Sequence, residues 1–260
     1  MQGYLNSRVL FLLSNLHITP RPILLTRHGE SENNVQGRIG GDTNLAPRGI
    51  AYSLKLASFI DGKYPRDGDH ELSIWTSTLR RTQATAAPIG REIVPWKALD
   101  EIDAGVCDGM TYEEIASRMP EEYAARGRNK FGYRCGGMTW PPRAPPLAAV
   151  ASYRASPCVC PRRYPRGESY EDIVHRLEPV IIEILRQKTP VLVVSHQATL
   201  RVLYAYLTDK APETCPDVLV PLHTVIELTP RAYGCEYPPR QPRSHALVRS
   251  ATVRRRRPSR

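Results

Sequence analysis

The sequence predicts a three-layer α/β domain, a mostly parallel central sheet with helices on both faces. Short apolar runs of strand length alternate with stretches whose apolar residues recur every 3.6 positions. One run, Val191-Leu192-Val193-Val194, is apolar at every position, as a strand covered on both faces must be.

Ile23-Leu24-Leu25-Thr26 reads as the first buried strand and runs directly into Arg27-His28-Gly29-Glu30. Residues 48–60 read as an amphipathic helix, with Ala51, Leu54, Leu56 and Ala57 near one side. Ser73-Ile74-Trp75-Thr76 reads as a strand, followed by a helix from Arg81 to Ala87 that Pro88 stops. Tyr112 to Met119 is a short helix. Ser169 with Asp172 three residues on is an N-terminal capping signal. The helix it opens has apolar residues at 173, 177, 180, 181, 184 and 185, and Pro179 should bend it. Ser195-His196 follows the apolar run, and a helix is expected from about Ala198 to Leu207.

The composition, 41% hydrophobic and 24% charged over 260 residues, excludes collagen, coiled coil and wholesale disorder. The longest early apolar run, Val9 to Leu13, is far short of the ~20 residues of a membrane span. The net charge of +10 sits in two Pro-rich segments, 135–163 with four Arg and no acid, and 235–260 with eight Arg and one Glu. Such segments read as solvated additions to the domain, so a nucleic-acid partner is not expected despite the Arg254–Arg257 run. Six Cys with no C-x-x-C pair give no zinc pattern and read as reduced thiols of a cytoplasmic protein.

His28 and His196 each follow a core strand, and ligands of open α/β sheets bind at the carboxyl ends of strands. Arg27 and Arg81 could converge there, and guanidinium is the preferred fork for phosphate oxygens. A neutral imidazole attacks phosphorus and forms a covalent intermediate. Gly29 would let the backbone come close to the ligand. From spacing alone this is only a phosphate-chemistry candidate, because a lone His is usually structural.

Arg27-His28-Gly29-Glu30-Ser31 resembles the R-H-G-E signature of the histidine phosphatase superfamily, which includes the cofactor-dependent phosphoglycerate mutases. Residues 27–42, 75–86, 96–115, 164–181, 195–201 and 221–235 further resemble the bisphosphatase half of the 6-phosphofructo-2-kinase/fructose-2,6-bisphosphatase family. The resemblance implies a phosphoglycerate-mutase-like fold and a fructose-2,6-bisphosphate 2-phosphatase that yields fructose 6-phosphate and phosphate. It implies that His28 is the nucleophile, that Arg27, Arg81 and His196 hold the phosphoryl oxygens, and that Glu101 is the proton donor. Asn34 and Gly40 would line the pocket, and Tyr112, Arg126, Lys130, Tyr170, Gln197 and Arg201 would contact the sugar and its C6 phosphate. Arg and protonated His supply the charge a metal otherwise would, so neither metal nor cofactor is expected. The His223 of Pro221-Leu222-His223 matches the family pattern without an assignable role.

The domain is expected to comprise 23–134 and 164–235. Residues 1–22 resemble the end of the family's kinase domain and its linker. Residues 135–163 are an insertion and 236–260 a basic tail, both expected to be disordered. No G-x-x-x-x-G-K-[ST] loop occurs, so no kinase activity is expected. Two alternatives stand beside this reading: a phosphatase for another small phosphorylated metabolite, its C6-phosphate site altered by the insertion, or an inactive remnant acting as a binding module. A homodimer is left open.

Overall fold

The structure, a computed structural model, describes residues 9–10, 13, 21–66, 71–133, 167–231 and 234–236. The insertion, the tail past 236, and nearly all of residues 1–20 fall outside them.

Six strands form one sheet: β1 (Ile23–Arg27), β2 (Ser73–Thr76), β3 (Ile93–Pro95), β4 (Val191–Ser195), β5 (Val225–Arg231) and β6 (Gly234–Glu236), in the order β3-β2-β4-β1-β5-β6. The first four are mutually parallel, and β5 and β6 run antiparallel at one edge. Every residue of β4 is buried, as its unbroken apolar run requires.

Alternate strand residues feed two cores. Ile23, Leu25, Val191 and Val193 pack against α6 (Tyr170–Arg186) and α7 (Gln197–Leu207). Leu24, Leu192 and Val194 pack on the other face with α2 (Pro47–Lys63) and the end of α3 (Arg80–Ala86). The three expected layers follow from this period-two division of the strands.

The helices differ from expectation in instructive ways. In α2 the buried face is Gly49, Tyr52, Ser53, Leu56, Ala57 and Ile60, while Ala51 and Leu54 point to solvent. Short apolar residues can be assigned to either flank of a stripe, and Tyr52 is what docks on the sheet. Pro88 does not simply stop α3; it sits within a 3₁₀ turn, Ala87–Ile89. Ser169 and Asp172 form the expected reciprocal capping box on α6. Pro179 lies on that helix's exposed side, where water can satisfy the carbonyl its ring leaves unbonded. Three short helices, α1 (Glu32–Val35), α4 (Tyr112–Arg118) and α5 (Pro120–Arg128), wall the carboxyl end of the sheet. Cys107 is disulfide-bonded, against the expectation of six reduced thiols.

Among the described residues no helix is long and apolar enough to cross a membrane.

Candidate active site

Strand register brings the two histidines together. Arg27 of β1 is level with Ser195 of β4, so the next residues, His28 and His196, emerge side by side. The His28 amide continues the ladder by donating to the Ser195 carbonyl at 3.0 Å. The two rings lie 5.1 Å apart between centroids, tilted by 54°. Strand β2, on the other side of β4, leads into α3 and delivers Arg81 to the same place.

His28 is 3% exposed, and its Nδ1 lies 2.7 Å from the Gly29 carbonyl. A carbonyl only accepts, so Nδ1 carries the proton and Nε2 keeps its lone pair. Burial, reinforced by the Arg81 charge, pushes its pKa down to about 3, so the ring is neutral and nucleophilic at ordinary pH. Gly29 acts differently from expectation. A Cβ there would come within 2.6 Å of the Gly49 carbonyl oxygen, so the close approach is to the start of α2 rather than to a ligand.

The tautomer of His196 follows from a chain of hydroxyls. Thr82 Oγ1 donates to the Leu79 carbonyl at 2.7 Å, which commits its proton. Ser77 Oγ, 2.8 Å from Thr82 Oγ1, must then donate to it. His196 Nε2, 2.7 Å from Ser77 Oγ, is left to donate, so the neutral ring has an unprotonated Nδ1. That Nδ1 is buried without a hydrogen-bond partner, as is the Nε of Arg27. Burial first, and then Arg81, hold the His196 pKa well below the usual value. The Arg27 Nε is a donor available to an anion, and the His196 Nδ1 becomes one on protonation.

Both guanidiniums are set by backbone carbonyls. Arg27 Nη1 donates to Val220 O at 3.1 Å, and Arg81 Nη1 donates to Gly41 O. Burial lowers the pKa of Arg27 to about 10 and lowers that of Arg81. Both remain cations at neutral pH.

Glu101 comes from the irregular stretch after β3. Its Oε1 accepts from the amides of Ile102, 3.0 Å, and Ala198, 3.2 Å, which leaves Oε2 for the pocket. That pocket is a cavity of about 310 Å³ in front of His28. It is lined by Arg27, His28, Asn34, Gly40, Arg81, Glu101, Tyr112, Arg126, Tyr170, Gln197 and Arg201. His196 is fully buried next to His28 and does not line the cavity.

Among the predicted site residues, His196 and Lys130 do not line the pocket, and Lys130 is the one that lies away from it, at the surface. Its ammonium lies 3.6 Å from Asp217 at the surface. A flexible stem reaches whichever carboxylate is near, and residue spacing does not say which one that is.

The remaining predicted residues are held in pairs. The Asn34 Oδ1 accepts from the Ser31 amide in the cap of α1. Arg201 donates from Nη1 to the Tyr170 hydroxyl at 2.9 Å and from Nε to Val218 O at 2.8 Å. The Arg126 guanidinium lies 5.1 Å over the Tyr112 ring. Gly40 has φ +69° and lies against Asp108, so no side chain fits there.

Sequence reasoning passed over Arg38, Asp103, Glu122, Tyr133 and Glu168, which also line the cavity. Asp103 and Glu168 lie inside recognised motifs, where a carboxylate beside the expected acid was the available signal. His223 now has a place: its Nε2 accepts from the Glu30 amide at 3.2 Å and its ring packs on Tyr52. Among the described residues no group of three His, Cys, Asp or Glu is placed to hold a metal ion.

The histidine phosphatase superfamily model, branch 1, matches residues 23–144 and 148–238, and the chain belongs to that superfamily. Within it, the chain is similar to curated 6-phosphofructo-2-kinase/fructose-2,6-bisphosphatases. It is 50% identical over 229 residues to the one from Arabidopsis thaliana, covering 88% of this chain and 27% of the relative. It is 47% identical over 236 residues to 6-phosphofructo-2-kinase/fructose-2,6-bisphosphatase 1 of Homo sapiens, covering 91% and 43%. The chain thus spans less than half the length of these relatives.

Among solved structures, the alpha-ribazole phosphatase of Shigella flexneri superposes with a TM-score of 0.59 at 22% identity, covering 80% of this chain and 89% of that one. A mycobacterial glucosyl-3-phosphoglycerate phosphatase superposes with a TM-score of 0.58 at 23% identity, covering 80% and 90%. At these identities the likeness establishes the fold.

Proposed function

We propose that this chain is a fructose-2,6-bisphosphate 2-phosphatase, working without a metal through a phosphohistidine. The observation that carries the chemistry is His28, neutral, with Nδ1 tied to Gly29 and Nε2 bare beside Arg27 and Arg81. The substrate is supported by the 47% and 50% identity to bisphosphatases over about nine-tenths of the chain.

In the first step the Nε2 lone pair of His28 attacks the C2 phosphorus, and the bond from phosphorus to the sugar oxygen breaks. That oxygen takes a proton from Glu101. Arg27 and Arg81 stabilise the charge on the phosphoryl oxygens, and His196 Nδ1, taking the proton of a bound phosphate monoanion, donates it back to that oxygen as a hydrogen bond. In the second step water attacks the phosphorus, Glu101 takes a proton from the water, and the P–N bond breaks to release phosphate and restore His28.

Arg126 and Tyr112 at one side, with Arg201 and Tyr170 at another, give the far end of the cavity cationic and hydroxyl groups suited to a second phosphate. The position of Lys130 favours, as a second reading, another small phosphorylated metabolite. We place the phosphatase unit at 23–134 plus 164–235 in a cytoplasmic protein.

The test is incubation with substrate labelled at the 2-phosphate, with chelator present. It should give an acid-labile, base-stable phosphoenzyme and free phosphate, and His28→Ala should abolish both. Labelling that survives His28→Ala removes His28 as the nucleophile. Faster turnover of a different phosphoester at equal concentration favours the second reading.

A further inference from the structure

We propose that Arg176 is a positioning residue for Glu101, acting with Glu168 as a clasp on the loop that carries it. The proposal rests on the reading of Glu101 as the proton donor.

Glu101 lies in a stretch with neither helix nor strand, between a 3₁₀ turn ending at Leu99 and another starting at Gly105. A proton donor there needs its backbone fixed from outside. Arg176 projects from α6 and donates from Nη1 to two carbonyls just before Glu101, that of Ala98 in the 3₁₀ turn at 2.9 Å and that of Asp100 at 3.1 Å. Its Nη2 donates to Glu168 Oε2 at 2.9 Å. The same Glu168 oxygen accepts from the amide of Asp103 at 3.1 Å, and the Glu168 amide donates to the Asp103 carbonyl at 2.8 Å.

The loop is therefore gripped on both sides of Glu101, by one guanidinium before it and one carboxylate after it. A planar fork holds its donors on separate nitrogens in a fixed geometry and so reaches acceptors set apart from one another, whereas an ammonium carries its three donors on one atom. Arg176 does not line the cavity, so it acts through the loop and not on the substrate. The Ser195 hydroxyl on Leu99 O and the Thr199 hydroxyl on Asp100 O brace the same backbone from β4 and α7. The clasp adds the anchor at Asp103 that they do not reach. A misplacement of about 1 Å in such a group can cost on the order of 10²-fold.

A stabilising ion pair and a positioning clasp differ in one measurable respect. A proton donor matters for a leaving alkoxide and little for an aryloxide that departs unprotonated. The experiment is single-turnover phosphoenzyme formation from fructose 2,6-bisphosphate and from p-nitrophenyl phosphate, for the parent, Arg176→Lys, Glu101→Gln and the double variant. Arg176→Lys should be slowed about 10- to 100-fold with the sugar phosphate and less than about threefold with the aryl phosphate. Glu101→Gln should show the same selectivity, and the double variant should be no slower than Glu101→Gln.

Equal slowing on both substrates, or no slowing, overturns the clasp if Glu101→Gln remains selective. Loss of selectivity in Glu101→Gln itself overturns the assignment of Glu101 and the clasp with it. Glu168→Gln keeps the volume and removes the charge that grips Arg176. It decides the same question if Arg176→Lys does not fold.

Discussion

The two ends of the cavity are built differently. At the phosphoryl end, His28, His196 and Arg27 emerge directly from the carboxyl ends of adjacent parallel strands. Both histidines and Arg81 are buried, and both guanidiniums are bonded to backbone carbonyls. At the far end, Tyr112 and Arg126 stand on two short helices, and Tyr112 is 46% exposed. The Arg126 Nη2 to Tyr112 hydroxyl contact is 3.4 Å, long for a hydrogen bond. Lys130 faces Asp217. Charges that stabilise a transition state work best when fixed beforehand in a dry site, whereas charges that recognise a remote group can settle onto it. The contrast teaches that the phosphoryl end is fixed beforehand, while at the far end Arg201 and Tyr170 are held as firmly and the Tyr112–Arg126 side is left to settle.

The largest effect that bears on this comparison is at the preorganised end. Arg81→Ala should lower kcat by about 10²–10³-fold on any phosphoester, since it removes a fixed donor to the phosphoryl group. Steady-state rates on the sugar bisphosphate and on an aryl monophosphate check this, and a loss confined to the bisphosphate would move Arg81 to recognition. Arg126→Ala should cost about tenfold in kcat/KM on fructose 2,6-bisphosphate and less on the aryl substrate, because only the former has a second phosphate to hold. Equal losses on both would erase the division between the ends.

Acid should act on the phosphoryl end first. The unfolded His28 ring takes up a proton as pH falls through its ordinary value of 6.5, while the folded ring resists until about 3. The unfolded state therefore binds more protons in that window. Stability is full above pH 6.5 and falls as pH drops toward 3, by about 1.4 kcal/mol per pH unit for each such histidine. His196, displaced in the same direction, adds to the slope. Urea midpoints at pH 7 and pH 5 measure it, and His28→Asn should lose less over that interval than the parent. An identical loss would show that His28 titrates normally.

The smallest effect is expected at Lys130. The Lys130–Asp217 pair is surface-exposed, with side chains 55% and 79% accessible, and such pairs contribute ~0–1 kcal/mol. Lys130→Met should change kcat/KM on the bisphosphate by less than about fivefold. A loss as large as that of Arg126→Ala would mean that Lys130 swings onto the substrate, and that the far end is more thoroughly remodelled than the unliganded geometry conveys.

Much of this molecule was legible in its residues. Apolar runs identify β1 and β4 because a strand covered on both faces has no polar side to show, and β2 is marked by its short Ile74-Trp75 core between Ser73 and Thr76. The 3.6 period and the Ser169 box locate α6, since both are properties of neighbours in sequence. The histidine pair was readable because each follows a core strand, and the motifs around Arg81 and Glu101 mark them as partners. The edge strands β3 and β6, and β5 between β1 and β6, were not readable. β3 and β6 have three residues each, β3 carries Pro95, and β5 carries Pro230 beyond the four residues that pair with β1; Pro in a run argues against a strand.

Only the tertiary structure decided that Gly29 makes room for Gly49, that Leu54 faces water, that Lys130 meets Asp217 and that Ser77 sets the tautomer of His196. It alone shows Arg176 reaching back 76 and 78 residues to grip two carbonyls beside Glu101. Local pattern encodes which side chains avoid water and which bend the backbone. Which acceptor a buried donor finds depends on what the fold brings within three ångströms of it, and residue order does not carry that.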